Sequence, residues 1–286
     1  MTSAANPVVK RMRMLANRRF RQREGLSLAE GIQPVWQAVE AGAPIEALIY
    51  APDLLRHRPA VEMVLAAERR GIRVVRLSGD LFQRLSDRDG AAGLAAIVGQ
   101  RLTPLGEVPV GPGAAFVALH EIASPGNLGT VIRTADAAGV RAVILVGATA
   151  DPYDPAAIKA SMGAIFSVPV ARAAGSDEFF TWAARHELAV VTTSARAEKN
   201  VWEARYPDPF VVMMGSEGAG LPDADLRRGT IGVSIPMTGT AESLNLAVAT
   251  GIVLFEVLRQ RRERACGLYC SLLAHFPRLS VPQRPD

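Results

Sequence analysis

The chain has few of the residues that build metal centres and disulfide frameworks. Its 286 residues include two cysteines and four histidines. Cys266 and Cys270 are four residues apart, a spacing that places both on one face of a helix instead of pairing them across a fold. The histidines are scattered, without the paired spacing of a zinc-binding helix. The composition therefore excludes a disulfide scaffold and a cysteine zinc site, and we predict no metal site.

Long apolar segments are also missing. No run of about 18 or more uncharged apolar residues occurs, which argues against a membrane-spanning helix. The chain enters a charged stretch at residue 10 without an apolar leader before it, so we predict no secretory signal. With 49% hydrophobic and 21% charged residues, the composition excludes disorder over most of the chain and suits one large or two ordinary domains. We expect a soluble protein of the cytoplasm.

Lysine is scarce. Only three of the 32 basic residues are lysines, so the remaining 29 are arginines. Arginine suits bidentate contact with phosphate and stacking on bases. A GC-rich genome produces the same bias, and the two explanations carry equal weight.

The basic residues concentrate between positions 10 and 23. This segment, KRMRMLANRRFRQR, contains seven cations and no acidic residue, a composition that suits contact with a phosphate backbone. We predict RNA contacts for all of its cations: Lys10, Arg11, Arg13, Arg18, Arg19, Arg21 and Arg23. Two other interpretations stay open. The segment is a solvated helix face that Met12, Leu15 and Phe20 dock on a core, or it is an organelle-targeting leader.

Beyond the basic segment, short apolar runs alternate with helical patterns. In the first half, strands are predicted at 45–50, 72–77 and 94–98, with a helical stretch that Gly71 ends and a short amphipathic piece at 81–85. Residues 102–113 contain three prolines and three glycines, so we interpret them as a linker between two domains.

The second half continues the alternation of strands and helices. Helices are predicted at 128–138 and 247–262, and strands at 115–119, 142–146, 165–170, 188–192, 210–214 and 231–235. Most of these strands are apolar throughout, a pattern typical of a parallel sheet that helices cover on both faces. Such sheets bind ligands at the carboxyl ends of their strands.

Three polar loops follow three of these strands. The loop at 120–129 carries Asn127 and leads into a helix that carries Arg133. The loop at 215–221 has its glycines in the spacing G-x-x-G-x-G, which is neither the dinucleotide fingerprint nor a P-loop. The third loop places Ser243 and Asn245 at the start of the long C-terminal helix. Each feature alone has a structural alternative: a helix cap, a surface arginine or a turn without ligand. Their common place at strand ends favours a binding site.

Three segments carry a resemblance to a known family: SPGNLGTVIRTADAAG, MMGSEGAGL and IPMTGTAESLNLAVATGIVLFEVLRQR. In order and spacing they resemble the three motifs of the SpoU/TrmH family of RNA ribose 2′-O-methyltransferases, within the SPOUT superfamily. The resemblance covers residues 115–262 closely. The N-terminal half of the chain is similar in size and pattern to the ribosomal-protein-L30e-like RNA-binding domain that many members of the family carry.

The resemblance implies an α/β fold in two domains. Residues 1–105 would form the L30e-like RNA-binding domain with its basic arm, and 106–265 a methyltransferase domain with a parallel sheet and a deep trefoil knot. Residues 266–286 would form a C-terminal tail. Members of the family are homodimers, and the apolar C-terminal helix is a suitable interface element.

The resemblance also implies a cofactor and a set of site residues. The family binds S-adenosylmethionine mostly through backbone groups, and the matching residues are Gly215, Ile235 and Leu244, with Thr193 as a further candidate. Arg133 matches the catalytic arginine, and four polar residues match those that hold it or the substrate: Asn127, Glu217, Ser243 and Asn245. Because a free guanidinium stays protonated far above neutral pH, we expect Arg133 to clamp phosphate and stabilise the incipient alkoxide. Ser124 departs from the family, which more often has asparagine there.

The expected activity is transfer of the S-adenosylmethionine methyl group to a ribose 2′-hydroxyl of structured RNA. Ribosomal RNA is favoured over transfer RNA because of the N-terminal domain and its basic arm. Two alternatives from other classes are a non-catalytic RNA-binding or ribosome-assembly factor and an NAD-dependent Rossmann enzyme. The five polar site residues argue against the first, and the lack of G-x-G-x-x-G after a strand argues against the second.

Overall fold

Two sheets organise the part of the chain that the structure describes. The computed structural model describes residues 6–86 and 90–274, with side chains described as far as residue 263. A four-stranded sheet lies in the N-terminal unit and an eight-stranded sheet in the C-terminal unit. Among the described helices, none is long and apolar enough to span a membrane.

The N-terminal unit is a small α/β domain. Its elements are α1 (Pro7–Met14), α2 (Arg18–Glu24), β1 (Leu26–Glu30), α3 (Ile32–Glu40), β2 (Ile45–Tyr50), α4 (Arg58–Arg69), β3 (Val74–Arg76), α5 (Gly79–Leu85) and β4 (Leu94–Gly99). The strand order is β1-β4-β2-β3, in which only β2 and β3 are parallel. The three strands predicted in this half are present, although β3 is shorter than the predicted 72–77.

The basic segment forms two short helices that dock on this domain. Asn6 and Asn17 cap α1 and α2, and Gly25, with φ of 64°, ends α2 in the left-handed conformation. Met12 and Leu15 are buried at 4% and 0% exposure. The docked-helix interpretation is therefore confirmed for Met12 and Leu15, which belong to the domain core, and Phe20 packs against it partly buried.

Within the N-terminal unit, β1 and α3 lie where the sequence pattern gave no prediction. On β1 the buried residues are Ser27 and Ala29, while its two leucines are half-buried. The strand therefore lacks the alternation of large apolar residues that marks a strand in a sequence. In α3, Pro34 stands in the first turn, where its missing amide breaks no helical hydrogen bond.

The C-terminal unit is a larger α/β domain. Its elements are β5 (Thr103–Pro104), β6 (Ala115–His120), α6 (Pro125–Ala137), β7 (Ala142–Val146), α7 (Pro155–Ser161), β8 (Val170–Ala173), α8 (Ser176–Arg185), β9 (Ala189–Thr193), β10 (Lys199–Asn200), β11 (Phe210–Met214), α9 (Asp223–Arg228), β12 (Ile231–Ser234) and α10 (Leu246–Ala274). The strand order is β10-β12-β9-β11-β6-β7-β8-β5, and all its pairs are parallel. The prediction of a parallel sheet is confirmed. The trefoil knot stays a prediction.

The strand predicted at 165–170 is wrong. A 3₁₀ turn occupies Ala164–Phe166, and β8 begins only at Val170. Pro169 has no amide to donate to a strand ladder, although its carbonyl accepts a hydrogen bond from the Val143 amide at 3.0 Å. The apolar residues of this segment are mostly buried in the core, which explains why they imitate a strand.

The residues predicted as a linker are partly ordered against the C-terminal sheet. Thr103 and Pro104 form β5, which pairs with β8 at the sheet edge. Leu105 and Val108 are buried in the core of the same unit. The segment therefore belongs structurally to the C-terminal unit, while the boundary predicted between residues 105 and 106 stays a prediction.

The C-terminal helix is longer than predicted. It runs past residue 262 to Ala274, so residues 266–274 of the predicted tail are helical. The side chains of Cys266 and Cys270 and all of residues 275–286 lie outside the part of the chain that is described.

A buried ion pair joins the two units. The guanidinium of Arg21 donates through Nε and Nη2 to Oδ2 of Asp151 at 3.0 and 2.7 Å, and through Nη2 to Oδ2 of Asp154 at 2.9 Å. Its Nη1 donates to the carbonyls of Leu15 and Ala16. The Arg21 side chain is 1% exposed. The prediction that Arg21 contacts RNA is therefore wrong, because the guanidinium is buried and its hydrogen bonds go to groups of the protein itself.

Close packing supports the same contact between units. Gly163 has φ of +92°, and a Cβ built there would lie 2.6 Å from Cβ of Gln37 on α3. Only glycine suits that position. The two units thus meet through a close approach at Gly163 as well as through the ion pair.

Candidate active site

The three polar loops lie at one edge of the eight-stranded sheet. β11 pairs with β6 on one side and with β9 on the other, and β9 pairs with β12. Because all these pairs are parallel, the loops that follow β6, β11 and β12 leave from the same carboxyl edge. The fold therefore brings together segments that are far apart in the chain.

Asn127 connects all three loops. The helix cap of α6 is Ser124, whose Oγ accepts from the Asn127 amide at 3.2 Å, so the side chain of Asn127 can project away from the helix. Its Nδ2 donates to Oε1 of Glu217 at 3.1 Å, and its Oδ1 accepts from Nδ2 of Asn245 at 3.0 Å. The chain separations across these two bonds are 90 and 118 residues. Both ends of the Asn127 amide are thus used to join the motifs.

Glu217 is held in its ionised form. Its Oε1 accepts from the Ser124 amide at 3.3 Å in addition to Asn127, and its Oε2 accepts from the Ala123 amide at 3.2 Å. Burial acts to raise the pKa of Glu217, but these hydrogen bonds outweigh it and hold the pKa below its ordinary value. The site therefore presents a negative charge at neutral pH.

Asn245 both caps α10 and joins the network. Its Oδ1 accepts from the amides of Ala247 and Val248 at 2.9 and 3.4 Å, while its Nδ2 is the donor to Asn127. The helix-cap interpretation is thus confirmed for Asn245, and its bond to Asn127 leaves room for the predicted role in the site. Ser243 is exposed in the preceding loop and makes no hydrogen bond to a described residue.

Arg133 is exposed on α6, six residues after Asn127, which is roughly 9 Å farther along the helix axis. It makes no hydrogen bond or ion pair with the residues that the structure describes. Its guanidinium, with donors in a fixed fork, is available to an external anion.

The glycine loop after β11 is folded tightly on itself. A Cβ on Gly215 would lie 2.1 Å from the carbonyl carbon of Gly220 and 2.3 Å from the amide nitrogen of Leu221. Ser216 and Gly220 exchange backbone hydrogen bonds at 3.2 and 3.1 Å. Glycine at 215 is therefore required by a close backbone approach.

The loop after β12 offers unpaired backbone groups. Residues 236–243 are exposed, and none of their amides or carbonyls forms a hydrogen bond with a described residue. Ile235 and Leu244 are half-buried at its two ends. Thr193 donates through Oγ1 to the Met213 carbonyl at 3.1 Å, which ties β9 to β11 beside this loop. These residues fit a polar ligand that is held by backbone groups.

The remaining cations of the basic segment differ in availability. Arg11 is paired with Glu46 and Glu24, and Arg23 with Glu24. The other four are exposed and form no ion pair with a described residue: Lys10, Arg13, Arg18 and Arg19. We call these four residues the basic surface. Within the described residues, no cluster of three or more His, Cys, Asp or Glu side chains could hold a metal ion.

The sequence pattern missed one feature of the candidate site, the amides of Ala123 and Ser124 that donate to Glu217. The predicted start of α6 at residue 128 is late, because the helix begins at Pro125. A serine followed by proline is typical of a capped helix start and would have placed it correctly.

Comparison with known proteins identifies the family. Residues 114–255 match the SpoU rRNA Methylase family, and residues 6–96 match the MRM3-like substrate binding domain. The 23S rRNA (uridine(2479)-2′-O)-methyltransferase of Streptomyces viridochromogenes is 33% identical over 254 residues, which cover 87% of this chain and 88% of the relative. A 23S rRNA (guanosine(2553)-2′-O)-methyltransferase of Bacillus subtilis is 28% identical, with 89% of this chain and 97% of the relative covered.

Solved structures agree with these relatives. An AdoMet-bound rRNA methyltransferase from Sinorhizobium meliloti is 37% identical and superposes with a TM-score of 0.82, covering 91% of this chain and 97% of the neighbour. The resemblance found in the three motifs is thereby confirmed. The chain belongs to the SpoU rRNA methylase family.

Proposed function

We propose that the protein transfers a methyl group from S-adenosylmethionine to a ribose 2′-hydroxyl of ribosomal RNA. The observation that carries the proposal is the hydrogen-bonded connection of Asn127, Glu217 and Asn245, because it joins three family motifs at one sheet edge. Relatives named as 23S rRNA 2′-O-methyltransferases support the substrate and the reaction. The AdoMet-bound neighbour supports the methyl donor.

The loop after β12 and the glycine turn after β11 would hold the donor. Gly215, Ile235 and Leu244 would contribute backbone groups, and Thr193 would fix the end of β9 beside them. When bound, S-adenosylmethionine supplies a methyl group on a positively charged sulfur.

The chain's own side chains would position the ribose and stabilise charge. As the 2′-hydroxyl loses its proton, negative charge develops on the oxygen. Solvent water accepts that proton. Arg133, whose guanidinium offers only donors, would bind the adjacent phosphate and stabilise the developing charge. Ser243, which forms no hydrogen bond within the described part of the chain, can donate to the ribose or phosphate. The Asn127 bridge keeps the ionised Glu217 and the start of α10 in place.

We propose a homodimer that forms through α10. Val248 and Phe255 are 52% and 50% exposed and lie seven residues apart, on one face of the helix. Ile252 lies between them on the same face. Burying this apolar stripe against a second copy would remove it from water.

Three other features belong to the same proposal. A ribosomal RNA substrate would put the protein in the cytoplasm. The deep trefoil knot would lie in the methyltransferase domain, and residues 1–105 would bind the RNA. The basic surface lies on these residues, which supports that division of labour.

The test is methyl transfer in vitro. Full-length protein is incubated with S-adenosylmethionine labelled in the methyl group and with unmodified ribosomal RNA transcribed in vitro, and the RNA is digested to nucleosides. We expect label in 2′-O-methylnucleosides. Label in the bases, or none although calorimetry shows that the cofactor binds, would overturn the proposal.

A matched pair of variants tests the arginine. Arg133→Ala should lower kcat by about 10²- to 10³-fold, the loss expected when a donor that stabilises developing charge is removed, with the cofactor Kd nearly unchanged. Arg141→Ala removes an exposed arginine at the start of β7, on the amino edge of the sheet, and should retain activity. An equal loss of cofactor binding in Arg133→Ala would make Arg133 a structural residue instead.

A further inference from the structure

An exposed tryptophan lies beside the site and has no role in the chemistry above. Trp202 is 58% exposed, more than any other large hydrophobic side chain among the described residues. The other two tryptophans are less accessible, with Trp182 at 5%. An exposed tryptophan on an ordered segment presents a flat aromatic face on which a planar ligand can stack.

The backbone under Trp202 is firmly held. The side chain of Asn200 accepts from the amides of Trp202 and Glu203, both at 3.0 Å. Val201 is fully buried, and its amide donates to the Ser234 carbonyl at 2.8 Å. The indole is thus presented from an ordered turn, so a flat ligand that stacks on it would not have to order the backbone.

Trp202 stands at the carboxyl edge of the sheet, on the side of the β12 loop. It follows β10, whose Asn200 pairs with Ser234 at the end of β12. Three strand spacings of about 4.8 Å separate β10 from β11, so Trp202 lies on the order of 14 Å from the glycine turn. A strand of RNA crosses that distance in a few nucleotides.

Positive and negative charges are nearly balanced in residues 196–205, the segment around Trp202. Three exposed cations, Arg196, Lys199 and Arg205, accompany two exposed acids, Glu198 and Glu203. The contact with RNA would therefore rest on stacking of a base on the indole face, with the three cations beside it. Unpaired bases in RNA are recognised by stacking on aromatic side chains in this way.

We propose that Trp202 is a stacking platform for an unpaired base that lies a few nucleotides from the methylated ribose. The inference rests on the proposed function, because it assigns a subsite for the RNA substrate of that reaction. Trp202 binds substrate and takes no part in methyl transfer, so its loss should raise KM for RNA and leave kcat unchanged.

The experiment compares Trp202→Leu, which keeps an apolar side chain but cannot stack, with Trp202→Phe, which can. With unmodified ribosomal RNA transcribed in vitro, Trp202→Leu should raise KM roughly 5- to 150-fold, the range that base stacking supplies. Trp202→Phe should restore most of the affinity. Arg141→Ala, which removes an exposed side chain at the amino edge of the eight-stranded sheet, should leave KM unchanged.

A second readout is independent of methyl transfer. Titration with the same RNA should quench tryptophan fluorescence in the wild type, and the quenching should be largely absent in Trp202→Phe. A wild-type protein that transfers no methyl group would defeat the proposed function, while the titration would still decide whether Trp202 stacks.

Three results would overturn the inference. The first is an unchanged KM together with unchanged quenching in the variants. The second is a weaker cofactor Kd in Trp202→Leu, which would place the indole at the methyl donor. The third is a smaller assembly in sedimentation, which would place it at an interface between two copies.

Discussion

Replacing Arg21 with methionine tests whether the buried ion pair holds the two units together. Methionine keeps much of the volume of the arginine stem but removes every hydrogen-bond donor of the side chain. Arg21 makes three hydrogen bonds to two carboxylates and two to backbone carbonyls. The variant therefore leaves Asp151 without its charged partner.

The expected cost follows from the burial of the two charges. The side chains of Arg21 and Asp151 are 1% and 9% exposed, whereas Asp154 is 31% exposed and can be hydrated. Removing one partner of a buried pair costs about 3–5 kcal/mol, because the other charge stays buried and unpaired. Against a typical stability of about 5–15 kcal/mol, the loss is large. Replacing both partners, in Arg21→Met with Asp151→Leu, should recover much of it.

Equilibrium unfolding in urea, followed by circular dichroism, measures the effect. Arg19→Met is the matched control, since Arg19 is an exposed cation on the same helix, and its stability should stay within about 0.5 kcal/mol of the wild type. If Arg21→Met unfolds at the same urea concentration as Arg19→Met, the ion pair does not stabilise the protein. If the double variant is no better than Arg21→Met, the uncompensated charge is not the cause of the loss.

Three further predictions address the RNA surface, the site and the dimer. Replacing the four cations of the basic surface with glutamine should make the slope of log RNA affinity against log salt concentration shallower, by roughly 0.7–0.9 for each phosphate that is no longer neutralised. Filter binding at several salt concentrations measures this slope, and a slope equal to that of the wild type would contradict the prediction. Glu217→Gln should lower the melting temperature at neutral pH, because the variant lacks the ionised carboxylate. The difference from the wild type should shrink as the pH falls below 4.5 and through the lowered pKa of Glu217 in the folded protein. A constant difference across that range would show that the charge of Glu217 does not stabilise the fold. Phe255→Glu should produce monomers in sedimentation while Leu65→Glu does not, and an unchanged mass would place the interface elsewhere.

The convergence of the three polar loops could be predicted from the sequence, because parallel strands place the loops that follow them at one edge of the sheet. The strand around 210–214 is apolar throughout, so its ends are clear and the glycine loop falls at its carboxyl end. The strand β6, which precedes Asn127, is also apolar up to its last residue, so the loop that follows it is equally clear. Since neighbouring strands in such a sheet share an edge, the loops could be expected to meet. The loops do meet, because Asn127 donates a hydrogen bond to Glu217 and accepts one from Asn245.

Features that depend on contacts between residues far apart in the chain could not be predicted from the sequence. The sequence marks Arg21 as one of seven similar cations, and only the fold places it against Asp151, which is 130 residues away. In the same way, Ser27 is polar, and its residue type predicts an exposed position. In the structure it is buried, and its hydroxyl donates to the Val98 carbonyl at 3.1 Å. The pattern of residue types specifies local structure, whereas burial of a polar residue is decided by the partner that the fold supplies.

The helices α1 and α2 show why charge and folding must be separated in any test of RNA binding. One face of this pair buries Val9 and Leu15 completely, and Arg21 anchors it to the other unit. Deleting residues 1–23 would therefore remove part of the core, and weaker RNA binding would follow from unfolding alone. Substituting only the basic surface changes the charge and leaves those buried side chains intact. A loss of affinity that depends on salt, in a variant that unfolds like the wild type, is the result that assigns these helices to RNA.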